Sequence, residues 1–255
     1  MTSRWSRPTT GSCESCQLRP GRRNNGYFSS DVHTIVMSSL LKYDRRMDVS
    51  APYRAVIPSL DGPVLMTLAR LGRPVTGRKL HQLAGAGSEA GVRKVLGRLV
   101  EHGLVRASDA GSSVLYEAND EHVAWPLVVR LAELRNEVIG RMSAEIRTWA
   151  PPPLSAALFG SAARGDGDTS SDIDVVIVHR DEADNIEEWE RQVDRLRNRV
   201  EAWTGNRCQV YELSAEQLAE HVRVREPIVA GWRDDSVTVA GEDFRDLVSS
   251  LRTRR

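Results

Sequence analysis

Two aspartates separated by one isoleucine, Asp172 and Asp174, open the apolar run Val175-Val176-Ile177-Val178. On a strand, residues two apart project from one face, so both carboxylates stand on the same side. Carboxylates that close repel each other and hold protons more tightly unless a cation lies between them. A hard divalent ion such as Mg²⁺ suits the pair, because it takes oxygen ligands and keeps positions open for water and phosphate oxygens. Upstream, Gly160-Ser161 ends the apolar segment Ala157-Leu158-Phe159. It is read as a strand-to-helix corner, where free backbone N–H groups favour an anion and glycine lets the backbone approach closely. The Ser161 hydroxyl adds a donor, and Arg164, one helical turn on, reaches the same anion. Ten residues separate Ser161 from Asp172, enough for a short helix and a return turn that aims both devices at one point.

The stretch GSAARGDGDTSSDIDVVIV resembles the signature of the DNA polymerase beta superfamily, in particular its minimal nucleotidyltransferase branch. That signature runs hydrophobic-Gly-Ser, a short spacer, then Asp-hydrophobic-Asp-hydrophobic, and the resemblance extends from Leu154 to Val248. It implies transfer of a nucleoside monophosphate from an NTP to an acceptor hydroxyl or similar group, with pyrophosphate released. Two metal ions would stabilise the attacking and leaving oxygens. Carried over by position, Asp172 and Asp174 hold Mg²⁺, while Gly160 and Ser161 bind the β and γ phosphates. Active members usually carry a third carboxylate on a later strand. Here that strand is Arg207-Cys208-Gln209-Val210-Tyr211-Glu212-Leu213, and the preferred register puts Gln209 at the position. Glu212 fits the pattern literally, but alternation points it to the opposite face, so only one of the two faces the metals. Gln209 is a weaker ligand and no base, and loss of a general base lowers a rate by roughly 10²–10⁴-fold. Asp166 and Asp168 are read as solvated loop residues and His179 as a surface histidine.

The rest of the 255-residue chain must position these groups, and it is long enough for two modest cores. Lys plus Arg and Asp plus Glu both number 35, so any nucleic-acid surface must be a local patch. Cys13 and Cys16 form one Cys-x-x-Cys without the second pair that a four-ligand zinc site needs. The cysteine usage suits a reducing cytosol, and cytoplasmic localisation is expected. No apolar run approaches a membrane span, and the N-terminus lacks the core of a secretory signal.

Residues 1–50 are set apart as a disordered extension, the first half rich in Ser, Thr, Gly, Pro and Arg. Met37 and Met47 each precede more protein-like sequence, so the extension is read as an upstream start or a vector remnant. Residues 51–118 predict three helices, with Asp61, Thr76 and Ser88 as caps and Gly72 and Gly103 as stops, then two strands joined at Gly111-Ser112. Three helices followed by a β-hairpin is the order of a winged helix-turn-helix, and GVRKVLGRLVEHGLV resembles the recognition helix of such bacterial regulators. On that helix Val92, Val95, Leu96, Leu99 and Val100 share one face, with Lys94 and Arg98 opposite and Arg93 at the edge. These three cations, helped by Arg78, Lys79 and Arg106, are the candidate contacts to double-stranded DNA. Residues 119–150 predict one long amphipathic connecting helix, with Leu127, Leu131, Leu134, Val138, Met142 and Ile146 on its apolar side. It either packs on the domains at its ends or forms a homodimer seam. Pro151-Pro152-Pro153 closes it. Residues 151–255, where strands alternate with helices, predict the α/β nucleotidyltransferase domain, making the whole an α+β two-domain chain.

Two functions follow as expectations. One is a Mg²⁺- and NTP-dependent nucleotidyltransferase coupled to a DNA-binding domain, acting on a protein side chain, a small molecule or an RNA end. The other is a nucleotide-gated or partner-gated regulator with little or no chemistry. In that case a small helical partner protein, as in two-gene toxin systems, is a candidate partner.

Overall fold

A computed structural model describes residues 46–180 and 186–253. Cys13, Cys16 and Met37 lie outside the described residues. Residues 46–50, placed in the extension by composition, are instead built into the fold. Val49 is buried in the downstream core and Met47 packs against it. Alternation of Met47 and Val49 buries one edge of this strap, while Asp48 accepts from the backbone N–H of Ser50 and Ala51, each at 3.0 Å.

Upstream, helix α1 (Asp61–Leu71), strand β1 (Val75–Thr76), helices α2 (Gly77–Ala84) and α3 (Glu89–Glu101), and strands β2 (Val105–Ala110) and β3 (Ser113–Ala118) follow in order. Thr76 accepts from the Lys79 N–H at 3.3 Å and Ser88 from the Gly91 N–H at 3.1 Å. Each thereby satisfies a donor of its helix's first turn. Asp61 is the first residue of α1 rather than its cap, and it pairs with Ser59 and Arg98. Leu68, Leu80, Val92, Leu96 and Val105 close a core beneath an antiparallel sheet of order β1-β3-β2. Val100 is only half-buried at its edge.

The connecting segment is not one helix. It breaks at Glu133 into α4 (Trp125–Ala132) and α5 (Leu134–Ile146). The physical reason is that its apolar stripe serves two cores. Trp125 and Val128 enter the upstream core, whereas Val138, Met142 and Ile146 enter the downstream one. Leu127, expected on the buried side, is 61% exposed, and Leu131 and Leu134 are half-buried.

The downstream module runs β4 (Ser155–Phe159), α6 (Gly160–Arg164), β5 (Ile173–His179), α7 (Ile186–Thr204), β6 (Cys208–Ser214), α8 (Ala215–Val224), α9 (Pro227–Asp235), β7 (Val237–Gly241) and α10 (Phe244–Thr253). The sheet order is β6-β5-β4-β7, with β5 parallel to β6 and antiparallel to β4. Strand alternation sorts the two faces. Ile173, Val175 and Ile177 face α5 and α7, while Val176 and Val178 join Leu218, Trp232 and Phe244 of the other layer. Glu145 of α5, almost fully buried, is held by Arg195 and Arg199 of α7, each at 2.6 Å. This clamp fixes α5 against α7, and stripping either partner from a buried charge is costly.

Candidate active site

The corner and the carboxylates meet. Phe159, the last residue of β4, pairs across the sheet with Asp174, and the chain turns at once into α6 through Gly160, whose φ is +69°. A Cβ on Gly160 would stand 2.7 Å from Asp174 Oδ2. Glycine is therefore required twice here, by its left-handed backbone and by the carboxylate against it. Phe159 is anchored from below by the buried Trp232, ring to ring at 6.1 Å.

Beyond α6 the chain returns in a tight loop. Gly165 leaves the helix with φ +75° and donates to the Ser161 carbonyl at 2.9 Å. Asp168 accepts from Ser170 N–H at 2.8 Å and from the hydroxyls of Ser170 and Ser171 at 2.6 and 3.2 Å. These bonds lower its carboxyl's pKa and make it a turn organiser. Asp166 is engaged by Arg164 at 3.0 Å, and Arg164 also reaches Asp235 at 3.3 Å. The arginine expected to meet an anion thus leans on two acids at the far end of α6. His179 packs edge-on against Trp189 at 5.4 Å.

On β6, Gln209 pairs in register with Asp174, and its Nε2 donates to Asp172 Oδ2 at 3.3 Å. Glu212 lies on the opposite face, where it accepts from Trp189 Nε1 at 2.8 Å and meets Arg197 at 3.3 Å. Of the two candidates for the third position, the register brings only Gln209 to the pair. Among the described residues no group of three or more His, Cys, Asp and Glu side chains is gathered for a metal.

Burial first, and the charge of Asp172 second, raise the Asp174 carboxyl above its ordinary range. Two carboxylates this close are what a cation would relieve. Asp172 Oδ1 is buried without a hydrogen-bond donor. The chemistry of the donors therefore fits a divalent ion, with hard oxygens of Asp172 and Asp174 and an amide beside them. On the far side of the sheet, burial pushes the Cys208 thiol up to about 12, against the pull of Arg197.

Three residues that sequence patterning did not single out hold this arrangement. Arg46 lies 3.5 Å from Asp172 Oδ1 and donates to the Ser170 carbonyl at 3.0 Å. Asn206, fully buried, donates to the Ser171 carbonyl at 2.9 Å and accepts from Met47 N–H at 2.9 Å. Arg135 donates to the carbonyls of Ala162 and Ala163 at 3.0 and 2.6 Å, so it satisfies the end of α6.

The six cations expected to meet DNA divide into two sets. Arg93 is paired with Glu89 at 2.6 Å, Arg98 with Asp61, and Arg106 with Glu121 at 2.7 Å and with Asn119. Lys94, Arg78 and Lys79 are exposed and make no ion pair with other described residues. Away from both regions, a cavity of about 730 Å³ lies among α8, α9 and α10, floored by Val222, Val229 and Val248 and edged by Arg223, Arg225 and Arg252.

Residues 141–241 match the family described as "Nucleotidyltransferase domain". That match runs from α5 to the end of β7 and takes in the Gly160 corner, both aspartates and Gln209. Among solved structures, RV1404 from Mycobacterium tuberculosis is 21% identical, with 49% of this chain and 84% of that chain covered and a TM-score of 0.29. The AntR antimony-specific transcriptional repressor is 23% identical over 51% of this chain and 99% of that one, with a TM-score of 0.26. A Sulfolobus solfataricus protein described as a candidate nucleotidyltransferase is 21% identical over 40% and 76%, with a TM-score of 0.25. No curated protein matches the chain. Among the described residues no helix is long and apolar enough to cross a membrane.

Proposed function

We propose that the chain transfers a nucleoside monophosphate from an NTP to an acceptor and couples that site to a DNA-binding winged helix. The observation that carries the first half is the approach of Gly160 to Asp174, which a Cβ would close to 2.7 Å. Asp172 and Asp174 are the residues that hold Mg²⁺, and the Gly160-Ser161 corner supplies backbone N–H groups and a hydroxyl to the triphosphate. When bound, the metal supplies charge stabilisation for the attacking and leaving oxygens. Gln209 positions the Asp172 carboxylate but cannot take a proton, so deprotonation of the acceptor falls to the acceptor's own surroundings or to solvent, and turnover is slow. The test is Mg²⁺-dependent transfer of label from each of the four α-labelled NTPs into a cell extract. Absence of transfer with every NTP would remove the enzymatic reading.

A second reading is favoured by the neutral Gln209 beside Asp172. In it the domain binds a nucleotide, performs little chemistry and gates the upstream module. In both readings residues 51–118 act as a winged helix, supported by three helices ahead of an antiparallel hairpin. Helix α3 lies against the DNA, and its Lys94, with Arg78 and Lys79 of α2, neutralises phosphates and releases the counterions condensed on them. A gel shift of promoter DNA with and without nucleotide separates the readings, since gating requires the shift to change when nucleotide is added.

A further inference from the structure

The two oxygens of Asp172 are already engaged. Arg46 places its guanidinium 3.5 Å from Oδ1, and Gln209 directs an amide N–H at Oδ2 from 3.3 Å. Asp174, by contrast, accepts no hydrogen bond from any described residue and stands against the Gly160 corner. The strap that carries Arg46 is built in rather than draped. Met47 N–H bonds both the Thr204 carbonyl and the Asn206 side chain at 2.9 Å, Ser50 Oγ bonds the Gly167 carbonyl at 2.7 Å, and Val49 is buried.

We infer that this site, before a nucleotide binds, takes one divalent cation, centred on Asp174, and that Arg46 fills the electrostatic place of a second. The inference rests on the nucleotidyltransferase reading of the site and deepens it. Charge decides the matter. Asp172, Asp174 and Arg46 together carry a single net negative charge, which one divalent ion overcompensates. A second divalent ion would have to sit beside a fixed guanidinium with no third carboxylate to offset it, since Gln209 is neutral. Like charges at a few ångströms in a partly buried site repel by several kcal/mol at an effective dielectric near 20, as an order-of-magnitude estimate. Gln209 and Arg46 are thus one device. Where the amide replaces a carboxylate, the arginine replaces the ion that the carboxylate would have held.

The test is titration of the full chain with Mn²⁺ alone, following loss of the free-ion electron paramagnetic resonance signal. One Mn²⁺ per chain is expected, abolished in Asp174→Asn. Arg46→Ala should tighten that ion by roughly tenfold or more, the direction expected when a nearby like charge is removed. Arg46→Ala combined with Gln209→Asp should bind two. Circular dichroism melting confirms that each variant is folded. If the double variant does not fold, Gln209→Glu, which keeps the side-chain length, takes its place and should bind a second ion more weakly. Two Mn²⁺ in the wild-type chain, or a single ion that survives Asp174→Asn, would overturn the inference while leaving the nucleotidyltransferase reading intact. No Mn²⁺ at all would instead break the metal-dependent reading on which it rests.

Discussion

The carboxylate end of the downstream sheet and the exposed face of α3 both collect charged side chains, and they treat those charges in opposite ways. At the sheet, like charges are forced together by backbone register, and the counter-charge comes from a distant strap. On the helical module, cations are spread over the surface, and half of those expected to meet DNA are paired with nearby carboxylates. A cluster that the fold assembles against electrostatic resistance points to a ligand. A cation that can swing to a neighbouring carboxylate says little until its partner is known.

The largest way to break this contrast is at the carboxylates. Asp172→Asn with Asp174→Asn should lower label transfer by at least about 10³-fold, since both side chains that would hold the metal are lost. A smaller loss in a folded variant would mean that the two groups are not the metal ligands. On the other surface, Lys94→Ala with Lys79→Ala should weaken DNA binding roughly tenfold or more at moderate salt and flatten the salt dependence by about two phosphate contacts. Arg93→Ala, whose side chain is paired with Glu89, should change binding less. Equal effects from both variants would erase the distinction between paired and unpaired cations.

How much of this was legible in the sequence differs between the same two regions. The spacing of Asp172, Asp174 and Gly160 could be read because strand periodicity fixes which side chains share a face, and Gln209 followed from the same rule. Helix starts at Thr76 and Ser88 were legible because capping is local. The break at Glu133 was not, because a continuous heptad-like stripe does not say which residues belong to which core. Arg46 was missed for a related reason. Its partner is 126 positions away in the chain, and only folding of Met47 and Val49 onto the downstream core brings the two together. The pairing of Arg98 with Asp61 was likewise invisible, as both residues already had roles assigned from their own helices.

Two smaller effects sharpen the picture of how the site is supported. Asn206→Ala leaves the Ser171 carbonyl without its donor in a buried place, while Met47 N–H keeps the Thr204 carbonyl. The cost is roughly 2–3 kcal/mol, read as a fall in melting temperature of about 4–10 °C. The smallest effect concerns Asp174 itself. Its folded-state pKa is raised, so the metal-free fold binds a proton more readily than the unfolded chain and loses stability as pH climbs through that raised value. Asp174→Asn should therefore raise the melting temperature in chelator by roughly 1–3 °C at neutral pH, and the gain should vanish under acid conditions. A variant that melts lower at neutral pH would mean that the carboxylate is not under repulsion.

The joint at Glu133 has a mechanical implication. Arg135 stands two positions past that joint, within the first turn of α5, and its guanidinium grips the carbonyls that finish α6. The first turn of α5, next to that joint, is thereby tied to the helix that opens at the glycine corner.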